Sequence, residues 1–572
     1  MRTNRKTDEK KMSMNKNIAR LAVTAGLTAA LSFGGVMAPV TIAFAAEGDN
    51  SITISQVTGN ESTKFKAYQI FKADVVDPTE AGATDKIISN VKWAFDDQEI
   101  QKAIIDAING CHLNTLNSNA SAQDVADWLT ANAKNTTKET RVDRDSVLNK
   151  IAKVVKDKVT PTGNPFNAGT AFEPKNADNT PNTGYYLFLT DDTGIGQSTD
   201  NKKNTGTSPI FAVVGGRPVV VAEKTSIPTV DKQVREGDAW EKVSDSQIGE
   251  KINYKLIGTV ADNIDTFATY KYEFKDHLSV GLEADKDSVA VTIDGKTVQP
   301  ADNYSVQVTD TKDEFNKVTG HDLTISFIDL KAAAKASNVD LTRQSKVVVT
   351  YKARLTSDAE YTATGNTNEV KLVYSNNPMT SDTGTSTPKE VTDYVFGLDI
   401  TKVEEGNQDK KLVAGFKVKV VNNGDSESAG KWLKNDGTLV RTEEEASEFM
   451  TDNANGKVFI PGLVAGTYEI TETTTPSSYN TIAPFQIIVT PTYNESGKLT
   501  ELDVSENVEE VTPGTANGSV VPITIENKKS SGLPLTGLDG VTFTWIAGGA
   551  VLCIGVAHLI RSRKQAEESE QE

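Results

Sequence analysis

Leu398-Asp399-Ile400-Thr401-Lys402 alternates apolar and polar side chains. Residues two apart in a strand point the same way, so this alternation reads as a strand with one buried face. Leu398 and Ile400 then face a core, and Lys402 shares their face. Outward from this stretch the pattern recurs at Phe396 to Val403, Phe416 to Val421, Lys457 to Ile460, Thr467 to Thr473 and Phe485 to Val489. It recurs upstream at Ile252 to Ile257, Ala290 to Ile293, Leu323 to Phe327, Lys346 to Ala353 and Val370 to Tyr374. Short alternating runs separated by Gly, Asn and Asp turns, with helical spacing only at Leu330 to Ala336, predict β-sandwiches over 225–389 and 390–528. Residues 46–224 are mixed. Strand-like runs at Ser51 to Val57, Phe65 to Phe71, Tyr185 to Leu189, Ile210 to Val214 and Val219 to Ala222 flank two helical patterns. One helix starts at the cap Ser121 with Asp124 three residues on, and the other carries Val147, Leu148, Ile151, Val154 and Val155. Pro378 to Pro388, rich in Ser, Thr and Asp, reads as the linker between the two sandwiches.

The two ends carry processing signals. Arg2, Arg5, Lys6, Lys10, Lys11, Lys16 and Arg20 precede a mostly apolar stretch from Leu21 to Phe44, and Ala43-Phe44-Ala45 supplies a small-x-small cleavage pattern. Residues 1–45 therefore read as an export signal. At the other end the run Val541 to Ile560 is apolar, and about twenty helical residues rising roughly 1.5 Å each cross a bilayer core. Arg561-Ser562-Arg563-Lys564 behind it holds the tail, 561–572, in the cytoplasm. The formal charge of -18 excludes nucleic acid or an anionic membrane surface as the main partner, because either would repel the chain. Of the two cysteines, Cys111 is exported and Cys553 lies in the apolar run, so no disulfide staples the exported domains. Their durability needs another source.

Residues that break the alternation carry the chemistry. Lys232 shares the face of Val230 and Val234, as Lys402 shares that of Leu398 and Ile400. A buried ammonium is costly unless it pairs or loses its proton. Acids and amides fall on matching faces: Asp276 after Phe274, Glu472 after Tyr468 and Ile470, and Asn527 after Ile523 and Ile525. Asn368 shares the face of Val370, Leu372 and Tyr374, and Asn376 lies on that face too. Each sandwich thus offers its core a lysine, a carboxyl and an asparagine. A hydrolase lacks its parts: His112, His277, His321 and His558 form no HExxH, and no GxSxG is present. Glu283, Asp285 and Asp287 lack the turn glycine and terminal glutamate of a calcium loop.

Leu533-Pro534-Leu535-Thr536-Gly537 resembles the LPXTG sorting signal of Gram-positive surface proteins, which a sortase cuts between Thr536 and Gly537. Gly462-Leu463 through Gly466-Thr467-Tyr468-Glu469-Ile470-Thr471-Glu472-Thr473, with Pro476 and Tyr479, resembles the E-box of collagen-adhesin B-type domains in sortase-assembled pilins. Leu398 to Lys402 and Ile523 to Asn527 match that domain's opening and closing strands. Pro228 to Lys232, Phe274 to Leu278 and Gly365 to Val370 are similar to the second domain of fimbrial major subunits. The resemblance implies a mainly β chain of tandem Ig-like sandwiches. These are a first domain with a helical insertion (46–224), a collagen-adhesin A-like second (225–389) and a collagen-adhesin B-like third (390–528). A linker with the sorting signal (529–540) and a transmembrane helix (541–560) follow.

The resemblance further implies spontaneous isopeptide bonds, Lys232 to Asn368 assisted by Asp276 and Lys402 to Asn527 assisted by Glu472, with Asn376 the alternative partner of Lys232. An apolar site favours neutral amine and neutral carboxylic acid, which such a condensation needs. Lys224, at the end of Val219 to Lys224 and without the family's Tyr-Pro-Lys form, occupies the place of the pilin lysine. The implied function is a pilus shaft subunit that supports adhesion. A class C-type sortase joins its Thr536 carboxyl to the Lys224 amine of the next copy, and the fibre is anchored to peptidoglycan alongside accessory pilins. A wall-anchored adhesin or accessory pilin that does not polymerise is the alternative. No cofactor, no metal and no enzyme activity beyond the autocatalytic bonds are implied.

Overall fold

The computed structural model describes residues 50–530 apart from 61, 78–85, 112–114, 134–141, 196–203 and 301–302. The export signal, the LPLTG pentapeptide at 533–537, the expected span 541–560 and the tail lie outside the described residues. Among the described residues no helix is long and apolar enough to cross a membrane.

The chain forms two compact units. One comprises the described residues up to Val395 together with Thr492–Glu501, and the other Phe396–Pro491 and the described residues from Leu502 onward. The segments expected as first and second domains therefore share one unit. Buried polar contacts join them: Ser208 Oγ and Thr266 Oγ1 are 2.6 Å apart, and Asn263 Nδ2 donates to the Gly206 carbonyl at 3.0 Å.

In the first segment the sheet order is Ile87–Trp93, Lys64–Val76, Gly184–Thr190, Ile210–Val214. All seven residues of Gly184–Thr190 are buried, because both faces of this sheet are covered. Tyr185, Leu187 and Leu189 pack with Val125, Leu148 and Ile151 of the helices. Tyr186 and Phe188 pack with Ile52, Ile54 and Phe172 of a small second sheet. In that sheet Ile52–Ser55 lies parallel to Val219–Ala222, so the segment's start and end are neighbours. Both expected helices are present as Ala122–Asn132, opened by the Ser121–Asp124 capping box, and Val147–Lys158, capped by Ser146. A further helix, Gln98–Asn109, was not read from the sequence, although Ile104, Ile105 and Ile108 on its buried side keep helical spacing.

The second segment is a sandwich. One sheet runs Ala239–Glu241, Val230–Glu236, Lys251–Thr259, Lys346–Leu355, Leu282–Ile293, Lys296–Val298. The other runs Val243–Asp245, Lys389–Tyr394, Asn366–Ser375, Tyr272–Ser279, Val318–Phe327, Ser305–Lys312. The expected linker and boundary need correction. Thr383–Thr385, inside 378–388, pairs with Asn366–Ser375, and Lys389–Tyr394 pairs with both Asn366–Ser375 and Val243–Asp245. The second segment thus ends at Val395 rather than at 389. Val391, Thr392, Asp393 and Tyr394 are all buried, so this last strand has no alternation to be read by.

In the second unit Phe396–Glu404 lies between Asn407–Lys411 and Val520–Asn527, with Lys457–Leu463 also pairing to it. The facing sheet runs Leu439–Val440, Trp432–Leu433, Gly415–Asn422, Gly466–Thr474, Phe485–Tyr493, Leu499–Glu506. The first and last strands, Phe396–Glu404 and Val520–Asn527, are parallel neighbours, with Lys402 opposite Ile525 and Glu404 opposite Asn527.

Candidate functional site: two buried lysine, carboxyl and amide clusters

Strand register assembles the first cluster. Asp276 lies opposite Val370 and Leu278 opposite Asn368, which places Asp276 and Asn368 side by side on the inner face of one sheet. Lys232, opposite Leu256, reaches them from the facing sheet. Its Nζ donates to Asn368 Oδ1 at 2.8 Å and to Asp276 Oδ1. The lysine and aspartate side chains have no solvent exposure. The rings of Tyr254 and Tyr351 stand 5.5 and 5.7 Å from Nζ, an aromatic wall that excludes water.

Sequence reasoning passed over Tyr351, yet its hydroxyl is part of the cluster. It donates to Asp276 Oδ2 at 2.6 Å and accepts from Asn368 Nδ2 at 2.7 Å. The rule that picks out Lys232 applies to it: within Lys346 to Ala353, Tyr351 is the polar-tipped residue on the face of Val347, Val349 and Ala353. Asn376 is buried elsewhere, its Nδ2 donating to the Asn204 carbonyl at 3.1 Å, so the asparagine that meets Lys232 is Asn368.

The second cluster is built from parallel neighbours and one facing strand. Lys402 Nζ donates to Asn527 Oδ1, and Asn527 Nδ2 donates to Glu472 Oε1 at 2.8 Å. The same Oε1 lies 3.5 Å from Lys402 Nζ, while Oε2 accepts the Ile482 N–H at 2.9 Å. One glutamate oxygen thus touches both nitrogens of the pair.

Burial dominates the electrostatics. It pushes the Lys232 amine down to about 8, against the opposing pull of Asp276, and Lys402 likewise to about 8, against Glu472. Burial also raises the Asp276 carboxyl in spite of its lysine neighbour. In the first cluster amine and acid are both biased toward their neutral forms, which leaves a nucleophilic nitrogen beside an amide carbon with a proton donor at hand.

Lys224 stands apart from these clusters and is only 7% exposed. Its backbone N–H donates to Thr207 Oγ1 at 2.9 Å, and its carbonyl accepts from Ser208 N–H at 3.0 Å. The adjacent Glu223 accepts from Val57 N–H at 3.1 Å and from Asn60 Nδ2 at 2.6 Å, and burial pushes its carboxyl up to about 7. A second polar knot missed in the sequence is Asp393, fully enclosed and held by the Ser244 and Ser246 hydroxyls. Glu283 pairs with Arg354 at 2.6 Å, and no group of three His, Cys, Asp or Glu among the described residues is arranged to hold a metal ion.

In class the chain is a mainly β, modular protein similar to backbone pilins. Residues 397–505 match the family described as SpaA: Prealbumin-like fold domain. The trypsin-resistant surface T6 protein of Streptococcus pyogenes serotype M6 (strain ATCC BAA-946 / MGAS10394) is 24% identical over 257 residues, 45% of this chain and 44% of that protein. The chain thus spans less than half the length of this curated relative. Among solved structures, the T6 backbone pilin of serotype M6 Streptococcus pyogenes aligns with 85% of this chain and 100% of its own, at 15% identity and a TM-score of 0.47. The Corynebacterium diphtheriae major pilin SpaA aligns with 84% of this chain and 100% of its own, at 16% identity and a TM-score of 0.42.

Proposed function

We propose that the chain is a structural subunit of a pilus shaft, hardened by two internal isopeptide bonds, Lys232 to Asn368 and Lys402 to Asn527. The observation that carries this reading is the pair of solvent-free clusters, each with a lysine nitrogen hydrogen-bonded to an asparagine side chain and a carboxyl beside both. Each lysine attacks the amide carbon and ammonia leaves. Proximity within a folded core replaces an enzyme. A protein compared above, the SpaA pilin, is described as having a modular assembly with stabilizing isopeptide bonds, which agrees with this chemistry. Intact-mass measurement tests it: the mature chain should be lighter than its sequence by one ammonia for each bond, and an unshifted mass refutes the bonds.

In the full reading, a class C-type sortase cuts after Thr536 and passes its acyl group to Lys224 of the next copy. The terminal subunit is joined to peptidoglycan, accessory pilins decorate the fibre, and the fibre supports adhesion. The burial of Lys224 favours a second reading, a wall-anchored or accessory subunit that uses the sorting signal without polymerising through this lysine. Lys224→Arg separates the two. Loss of the high-mass ladder from cell-wall extracts supports the shaft, and a persistent ladder removes Lys224 from it.

A further inference from the structure

The two clusters differ in how the acid reaches the departing nitrogen. In the second unit Glu472 Oε1 accepts directly from Asn527 Nδ2 at 2.8 Å. In the first, Asp276 is one methylene shorter, and the Asn368 amide nitrogen donates to the Tyr351 hydroxyl at 2.7 Å instead. That hydroxyl in turn donates to Asp276 Oδ2 at 2.6 Å and lies 3.4 Å from Lys232 Nζ. Asp276 and Tyr351 together span the distance that glutamate spans alone. The tyrosine is 1% exposed, and its ring is stacked on Tyr254 with centroids 5.3 Å apart, so the hydroxyl is held in place.

Resting on the proposed Lys232–Asn368 bond, we propose that the Tyr351 hydroxyl is a catalytic residue of that condensation, carrying a proton from Asp276 to the leaving nitrogen of Asn368. Neutral Lys232 Nζ attacks Cγ of Asn368; the Nζ–Cγ bond forms and the carbonyl π pair moves to Oδ1. Nζ gives one proton to Asp276 Oδ1. The Tyr351 hydroxyl turns its hydrogen from Oδ2 toward the lone pair that Nδ2 gains in the tetrahedral adduct; the acid then releases its other proton from Oδ2 to the Tyr351 oxygen, and Tyr351 passes its own hydrogen to Nδ2. The Cγ–Nδ2 bond breaks with its pair on nitrogen, ammonia leaves, and the Oδ1 pair restores the carbonyl. Aspartic acid and tyrosine end as they began, so the net change is one amide formed and one ammonia lost.

The test follows bond formation in the whole chain made by cell-free synthesis, quenched in acid at intervals, digested and analysed for crosslinked peptides by mass spectrometry. The Lys402–Asn527 bond, formed in the same molecules, reports synthesis and folding of the second unit, and hydrogen exchange of Lys251–Thr259 and Lys346–Leu355 in the same samples reports folding of the first. Tyr351→Phe should slow the Lys232–Asn368 bond roughly a hundredfold, the scale of a lost proton-transfer group, and leave the other bond unchanged. Asp276→Glu in the Tyr351→Phe background should restore the rate, because the longer acid reaches Nδ2 itself. A Tyr351→Phe chain that bonds at the unaltered rate overturns the relay while the bond itself stands. So does a slow Tyr351→Phe chain that the glutamate does not rescue, which assigns the ring to packing. An unaltered chain that never forms the bond overturns both proposals.

Discussion

Glu472→Gln should leave the second unit folded but uncrosslinked, and the loss is calculable. Lys402 and Asn527 are 125 residues apart in sequence. Loop-closure entropy for a link of that span constrains the unfolded chain by about 5 kcal/mol at 25 °C. The variant forfeits this and also retains a buried amine. Burial depresses that amine below its ordinary 10.5 to about 8, and Glu472 is the neighbour that pulls it back up, so removing the acid depresses it further. Between the folded and unfolded values the unfolded chain binds the proton and the folded one does not, so the variant gains stability as pH rises from below 8 toward 10.5. The chain crosslinked as proposed, its amine consumed in an amide, should have no such slope. Hydrogen exchange of Phe396–Glu404 and Val520–Asn527, read by mass spectrometry, isolates this unit from the rest of the chain. Exchange through global opening should accelerate by more than a thousandfold at pH 7, since about 1.4 kcal/mol is tenfold. If the crosslinked peptide disappears and exchange does not change, the loop-closure account of stability is wrong.

Glu223, raised by burial from 4.5 to about 7, stabilises the first segment fully below about pH 4.5 and loses that contribution, on the order of 3 kcal/mol, as pH rises through 7. Glu223→Gln should flatten the fall in thermal midpoint between pH 5 and 8, and an unchanged slope would place the titration elsewhere. Ser121→Ala removes one half of a capping box and should destabilise the Ala122–Asn132 helix by about 1 kcal/mol, measurable as faster exchange of its first-turn amides. At Gly258 an added methyl would run into the Tyr272 hydroxyl and meet the Phe274 ring at 3.0 Å. Gly258→Ala should therefore lower stability by about 1 to 3 kcal/mol, and a neutral effect in denaturant titration would show that these rings can shift.

Much of this arrangement is legible in the sequence because strand alternation states which face a residue occupies. Lys232, Asp276, Asn368, Lys402, Glu472 and Asn527 all interrupt apolar stripes, and all six are buried, three in each cluster, on the faces that alternation gives them. Alternation says nothing about which sheet a strand joins. Lys389–Tyr394 is buried through most of its length, and the expected boundary at 389 cuts off 390–394 for that reason. Nor does it distinguish Asn368 from Asn376 on one face; only the pairing of Tyr272–Ser279 with Asn366–Ser375 does. Tyr351 escaped notice because tyrosine is an ordinary core residue, and its hydroxyl becomes chemical only when an acid and an amide flank it.

The placement of the two proposed bonds would also divide the labour of bearing load. In the proposed fibre tension enters at Lys224, so the residues before it lie outside the covalent path, and a bond there would not shorten that path. From Lys232 the path crosses directly to Asn368, relieving the strands between. It then runs through 369–401, which no crosslink bypasses and of which 369–395 belongs to the first unit. That stretch is held by the pairing of Lys389–Tyr394 with Asn366–Ser375 and Val243–Asp245, and by the enclosed Asp393 carboxyl on Ser244 and Ser246. In the second unit the path passes from Lys402 straight to Asn527 at the end of the last strand, so almost nothing in that unit is left to noncovalent forces. The 369–395 stretch is therefore where this chain should first extend under force.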